Sequence, residues 1–414
     1  MASPTRNDCL ALDSRDQLAD FRNQFQLADD LIYLDGNSLG VLPRATKARL
    51  LDAVEIEWGQ DLIKSWNKHG WMHLPTRVGD KIAGLIGAKA GQVVAADSTS
   101  INVYKVVSSA LKMQKGRIKI ISDQGNFPTD LYMVQGITNQ IGRDKCQLNL
   151  VSPDDVISAI DDDTALVMLT QVDFRTGRIY DMDAITKAAH AKGALVCWDL
   201  CHSAGAIPVL LDECNVDFAV GCGYKYLNGG PGAPAFVYVA KRHLAKAFQP
   251  LSGWHGHASP FDFSTEFTPA NTIESFLCGT PSVLAMIALE VSLDIWAEAD
   301  MTAVRKKSMA LCDLFIELVE DRCANHGFEL ISPRDANLRG SQVSFSHSDG
   351  FPITQALIAA NVVGDFRAPN VLRFGFTPLY TSYVDVWDAV DRLVNIMATK
   401  SYDAPEFNVR GAVT

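Results

Sequence analysis

Lys225 stands between two tyrosines in the run Gly223-Tyr224-Lys225-Tyr226-Leu227-Asn228-Gly229-Gly230, just after an apolar stretch at 217–221 and just before a glycine-rich turn. Upstream, the apolar stretch 194–198 ends in Asp199. A lysine amine forms a Schiff base with an aldehyde, and a carboxylate holds a pyridine nitrogen protonated. An acid and a lysine at two strand ends therefore suit pyridoxal phosphate (PLP), whose ring acts as an electron sink. Taken alone, a lysine in a glycine-rich loop is more often a solvated surface cation. Here the flanking residues are aromatic and small, which implies a tight, partly apolar place that lowers the amine's pKa.

Other residues of the right chemistry fall at similar places. Asp97-Ser98-Thr99-Ser100 closes one apolar stretch and opens a helical pattern, and the hydroxyls and free N–H groups of a helix start bind phosphate. A plain Ser/Thr cap is the alternative. Asn126-Phe127-Pro128-Thr129-Asp130 has the same placement: Phe127 offers a stacking face and Asp130 a carboxyl that reaches a ring nitrogen or a water. Pro128 and Asp130 also suit an ordinary helix start. Thr170 ends another stretch, and His202, next in the Asp199-Leu200-Cys201-His202 run, either backs Asp199 or faces a bound ring. Arg373 lies in the otherwise apolar 371–376, where a guanidinium needs an anion. An amino-acid carboxylate fits it bidentately, and an internal salt bridge is the alternative.

The elements that must position these groups follow from periodicity. Apolar runs at 93–96, 118–122, 147–151, 165–170, 194–199, 218–221 and 235–239 alternate with helical patterns at 101–113, 128–137, 153–160 and 183–191. Strands apolar throughout and separated by helices imply a mainly parallel sheet covered on both faces, with ligands at the carboxyl ends of the strands. After 282 the texture changes: helical patterns at 282–298, 302–325, 353–360 and 382–399 interleave with short strands at 328–331, 342–346 and 371–376. We expect residues 51–281 to form a large domain, 282–414 a smaller α+β domain, and 1–50 a segment packing back on the smaller one.

A chain of 414 residues accommodates two such domains. The net charge of −11 argues against nucleic acid or an anionic membrane as the main partner. No apolar leader opens the sequence and no apolar window is long enough to span a bilayer. Nine cysteines without a Cys-x-x-Cys pair read as reduced thiols in the cytoplasm. Cys197, Cys201 and His202 fit no common zinc spacing, so no metal is expected.

Taken together, Tyr33-Leu34-Asp35-Gly36-Asn37-Ser38-Leu39-Gly40, the 126–130 run, 198–205, 224–230 and Arg373-Phe374-Gly375-Phe376-Thr377-Pro378-Leu379-Tyr380 resemble the kynureninase family, the bacterial type most closely, across the whole chain. The resemblance implies an α/β aminotransferase-like (type I) PLP-dependent fold with a seven-stranded sheet. It also implies hydrolytic Cβ–Cγ cleavage of L-kynurenine to anthranilate and L-alanine in tryptophan degradation. Lys225 would then carry the cofactor and move protons, and Asp199 would pair with its ring nitrogen, helped by Asp130 and His202. Phe127 would stack on the ring and Thr170 sit near its hydroxyl. Thr99, Ser100 and Tyr224 would hold the phosphate, with Tyr224 also a proton donor. Trp254 and Thr280 would reach in from the second subunit of a homodimer. Arg373, with Asn37 and Ser38 nearby, would hold the substrate carboxylate. Gly279-Thr280 replaces a polar pair found in relatives that prefer 3-hydroxykynurenine, so L-kynurenine is the expected better substrate. A cysteine desulfurase on the same scaffold is the nearest rival, with Cys278 its one candidate nucleophile.

Overall fold

The computed structural model describes residues 3–409 and 411. Its larger sheet has seven strands in the spatial order Val93–Ala95, Phe236–Val239, Phe218–Gly221, Leu195–Asp199, Thr164–Thr170, Lys119–Asp123 and Gln147–Val151. All pairings are parallel except those of Phe236–Val239, which runs antiparallel to both neighbours. The expected sheet is thus present, each strand within a residue or two of its predicted span.

Burial on both faces explains why these strands are apolar throughout. Successive strand residues point to opposite faces. Val196 and Trp198 join the core beneath the helices Leu74–Leu85, Met182–Ala191 and Val283–Glu298, while Leu195 and Cys197 join the core beneath Thr99–Met113 and Pro128–Ile141. The helix Val283–Glu298, which follows the boundary expected at 282, lies in the first of these cores through Met286, Leu289 and Leu293. Residues 153–160 were expected as one helix and form only a tight turn followed by the single helical turn Val156–Ala159, because Ile160 already has extended backbone.

A second, four-stranded antiparallel sheet runs Asp365–Arg367, Val371–Gly375, Gln342–Ser346 and Glu329–Leu330. The first of these strands was not anticipated: its Asp-Phe-Arg sequence is short and places charge at alternate positions, the pattern of a sheet edge. Helices Met301–Arg322, Gly350–Ala359 and Tyr383–Thr399 cover this sheet around Phe315, Phe345 and Phe374. Ile32–Tyr33 pairs parallel with Val362–Val363, and Ile32 and Leu34 enter the same core. Among the described residues no helix is long and apolar enough to cross a membrane.

Asp217 ties the two strands that carry the chemistry. Its buried carboxylate accepts the Val196 N–H at 2.8 Å, His190 Nε2 at 2.8 Å, His243 Nε2 at 2.7 Å and Arg242 Nη2 at 2.6 Å. Burial opposes the charge, but the hydrogen bonds from His190 and His243 hold the carboxyl well below the usual carboxylate range. A carboxyl whose folded pKa is depressed contributes stability above its unfolded value of about 3.9 and loses it as pH falls toward the folded value. Denaturant titrations should therefore show a plateau above about pH 5 and a decline below about pH 4. Asp217→Asn should lower the plateau by about 2–3 kcal/mol and flatten that decline; an unchanged acid limb would show that the carboxylate does not hold the strands.

Candidate active site

Sheet register brings the site together. Thr170 faces Asp199 and Asp199 faces Val220 across adjacent parallel strands, so Thr170, Asp199 and the loop bearing Lys225 emerge at one edge. A cavity of about 220 Å³ opens there, walled by Thr99, Ser100, Phe127, Asp130, Thr170, Asp199, His202, Tyr224 and Lys225. Every cofactor-binding residue expected from the sequence, apart from Trp254 and Thr280, borders this one space.

At its centre Lys225 Nζ donates to His202 Nε2 at 3.0 Å and lies 5.7 Å from the Phe127 ring centre. His202 is held far below the usual histidine range by burial first, then by the charges of Lys225, Arg373 and Arg367. The ring is neutral, so its proton sits on Nδ1, which has no partner among the described residues. His202 therefore serves the lysine in this arrangement rather than backing Asp199. The amine itself departs from expectation. Burial works to lower its pKa, but Cys222, Cys201, Tyr224 and Asp199 together raise it above the ordinary lysine value. Cys222 and Tyr224 lie in the local sequence, but Cys201 and Asp199 are delivered by the neighbouring strand Leu195–Asp199 and the turn after it, which the local sequence does not show.

Asp199 is anchored by the Cys201 N–H, 2.7 Å from Oδ1. Asp130 is almost fully buried beside it. Burial first, and then the charge of Asp199, push the Asp130 carboxyl well above the usual range, so it keeps its proton and hydrogen-bonds to Asp199. Its Oδ2 has no hydrogen-bond partner among the described residues. Tyr224, pushed up to about 12 by burial, also keeps its proton at neutral pH.

Ser98, not the residues after it, caps the helix Thr99–Met113, accepting from the Ile101 N–H at 3.4 Å. Thr99 and Ser100 border the cavity at the helix start, where free first-turn N–H groups suit an anion, and the Thr99 hydroxyl meets Cys201 Sγ at 3.6 Å. Phe127 remains 39% exposed despite its size. An orphaned imidazole N–H, a proton-bearing carboxyl beside a carboxylate, an exposed aromatic face and a helix N-terminus match the pyridine nitrogen, ring face and phosphate of PLP. A second cavity of about 380 Å³ adjoins the first, sharing Ser98, Thr99 and Tyr224, and Thr280 lies in its wall. Trp254 borders neither; it stacks on His255 with ring centres 4.7 Å apart and meets Trp66 edge-on at 5.8 Å.

Arg373 took the alternative course. Its Nε donates to Asp365 Oδ1 at 2.8 Å and its Nη2 to Asp365 Oδ2, so the forked face is occupied by an internal carboxylate. Nη2 also donates to Ser38 Oγ at 2.8 Å and Nη1 to the Phe174 carbonyl at 2.7 Å. Ser38 in turn donates to Asp365 Oδ2 at 2.9 Å, and Asn37 donates to Gln342 Oε1 at 3.0 Å. The loop carrying Asn37 and Ser38 is held by contacts that admit no side chain. The Gly40 N–H donates to the Tyr224 carbonyl at 2.8 Å, and a Cβ there would lie 2.3 Å from the Lys225 carbonyl oxygen.

Sequence reasoning missed the residues that hold the named ones in place. Asn126 was quoted only as part of a run, yet its Oδ1 accepts from Thr170 Oγ1 at 2.5 Å and from the Phe127 N–H at 2.7 Å, and its Nδ2 donates to Ser122 Oγ at 2.9 Å. Asn228 accepts the Val41 N–H at 3.0 Å and, at φ 53°, turns the chain after Lys225. The left-handed turn was the available signal, since asparagine tolerates it better than most residues. Asn126→Ala would strip the buried Thr170 hydroxyl and the Phe127 N–H of their acceptor. It should cost about 1–3 kcal/mol in denaturant unfolding of the cofactor-free protein; a loss below about 0.5 kcal/mol would mean water replaces the amide.

Solved structures share this architecture. A cysteine desulfurase from Thermococcus onnurineus NA1 superposes with a TM-score of 0.78 at 19% identity, over 92% of this chain and 98% of that one. The C-DES protein solved with glycine covalently linked to its PLP gives 0.79 at 14%, over 90% and 99%. The scaffold is thus the type I fold of PLP-dependent enzymes. Within it, kynureninase from Burkholderia pseudomallei is 51% identical over 416 aligned residues, 99% of this chain and 100% of its own length. Kynureninase from Pseudomonas fluorescens is 49% identical over 414, again 99% and 100%. The Kynureninase C-terminal domain family matches residues 304–393. The chain belongs to the kynureninase family.

Proposed function

We propose that this chain hydrolyses L-kynurenine at the Cβ–Cγ bond, consuming one water and releasing anthranilate and L-alanine, with PLP carried on Lys225. The observation that carries the reading is a lysine amine sharing one cavity with a hydrogen-bonded carboxylate and carboxyl, in a chain half identical to kynureninases over its full length. Bound PLP would supply the ring into which electrons from the breaking bonds are drawn.

The remaining tasks fall to side chains. Asp199 would pair with the ring nitrogen, and Asp130, which keeps its proton, would steady Asp199 through their hydrogen bond. Phe127 would lie against the ring face, Thr170 beside its hydroxyl, and the Thr99–Ser100 helix start would hold the phosphate. The Lys225 amine would carry the α-proton of the bound substrate. His202 takes a hydrogen bond from that amine and orients it. Tyr224, protonated at neutral pH, donates to the carbon that loses the aryl ketone. Arg373, beside the loop carrying Asn37 and Ser38, would offer the substrate carboxylate the one N–H that Asp365, Ser38 and Phe174 leave free.

A second copy of the chain completes the site in this reading, supplying Trp254 and Thr280 in a cytoplasmic homodimer. An apolar strip of Leu51, Val54, Ile56, Trp58, Leu62 and Ile63, each 40–78% exposed, supports such an association. Gly279 has open space where a side chain would extend, and in this reading the Gly279-Thr280 pair favours L-kynurenine over its 3-hydroxy form.

The test is anthranilate fluorescence after adding L-kynurenine to the PLP-loaded protein, with L-alanine measured in parallel. Equimolar products are expected, a several-fold lower kcat/KM on 3-hydroxykynurenine, and loss of both the visible absorbance and turnover in Lys225→Ala. Sulfide from cysteine in place of anthranilate from kynurenine would transfer the chain to the desulfurase reading.

A further inference from the structure

Arg373 has five N–H donors, and four are already engaged by Asp365, Ser38 and the Phe174 carbonyl. Its side chain is 2% exposed. What remains is one Nη1–H, too little for forked recognition of another carboxylate. A second guanidinium shares the same anchor: Arg367 Nη2 lies 2.7 Å from Asp365 Oδ2, and the Arg367 side chain is 40% exposed. It stands two residues from Asp365 on the edge strand Asp365–Arg367, on the same face. Arg367 makes no other ion pair among the described residues, so most of its donors are free.

The arginine pair adjoins the cavity, because Phe174, whose carbonyl accepts from Arg373 Nη1, lines its wall and Asp365 holds both guanidinium groups. The charge of Arg367 helps keep His202 neutral, and burial followed by repulsion from Arg373 lowers its own proton affinity. Opposite these two arginines are Asp365 and Asp35, and Asp35 is raised to about 7 by burial and by Asp365. Near neutral pH the four groups therefore carry a net charge between zero and one positive, which favours an arriving anion.

We propose that Arg367 contacts the substrate α-carboxylate, which bridges its open guanidinium and the free Nη1–H of Arg373, while Asp365 positions both arginines. This rests on the amino-acid substrate read above and deepens it: the carboxylate requirement is divided between two arginines, and the exposed one is the first to meet substrate.

The experiment uses the PLP-loaded protein and its Arg367→Gln and Arg367→Lys variants, with three ligands: L-kynurenine, its decarboxylated analogue, and L-alanine. Arg367→Gln should raise KM for L-kynurenine roughly 10- to 100-fold with kcat changed less than about threefold, as loss of a charge-assisted contact made equally in ground and transition states requires. Spectral titration should show L-alanine weakened by a similar factor and the decarboxylated analogue by less than about twofold. Arg367→Lys should recover part of the loss. Equal weakening of the analogue, or an unchanged affinity for L-alanine, would overturn the contact. Because the alanine titration needs no turnover, a protein that releases no anthranilate would refute the proposed reaction and still leave the role of Arg367 decided.

Discussion

An ammonium group withdrawn from water persists only where surrounding charges offset its desolvation. Lys225 meets that constraint with a hydrogen bond to neutral His202 and with the Asp199 carboxylate close by. Cys222 and Tyr224 come from the segment that carries the lysine, while the other partners come from elsewhere in the chain. Asp199 and His202 follow one strand, Asp130 opens a helix after another, and Lys225 follows a third. The parallel register that sets Thr170 against Asp199 and Asp199 against Val220 is what holds the charges at these separations. A slip of one residue would turn Asp199 to the opposite face and leave the amine unpaired.

Around this centre the structure spends its polar groups on positioning. Asp217 ties the start of the Leu195–Asp199 strand to His190, His243 and Arg242, far from the cavity mouth. Asn126 sets the Phe127 backbone and the Thr170 hydroxyl from one amide oxygen. The loop at 36–40 lies between the two cores, with Gly40 against the Lys225 backbone and Ser38 on both Asp365 and Arg373. The lysine loop and the arginine pair thus share a common spacer.

Much of this was legible beforehand. The apolar runs marked seven strands because burial on both faces leaves no polar positions to interrupt them, and long helices such as Thr99–Met113 and Tyr383–Thr399 showed their period plainly. The edge strand Asp365–Arg367 was not legible, since three residues with two charges carry no periodic signal. Nor was its consequence, the occupation of Arg373 by Asp365, because the pairing is set by the antiparallel register of Asp365 with Arg373. The direction of the Lys225 shift was misread for the same reason.

Residue type and order by themselves determined the alternation of strands and helices, the identity of the amine and its acids, and membership in one family, since these rest on local periodicity and on side-chain chemistry. Which groups are charged, which are already satisfied, and which arginine stays open to a ligand depended on distances of a few ångströms between segments far apart in the chain. Electrostatic and hydrogen-bond energies change steeply over such distances, and only the folded arrangement sets them.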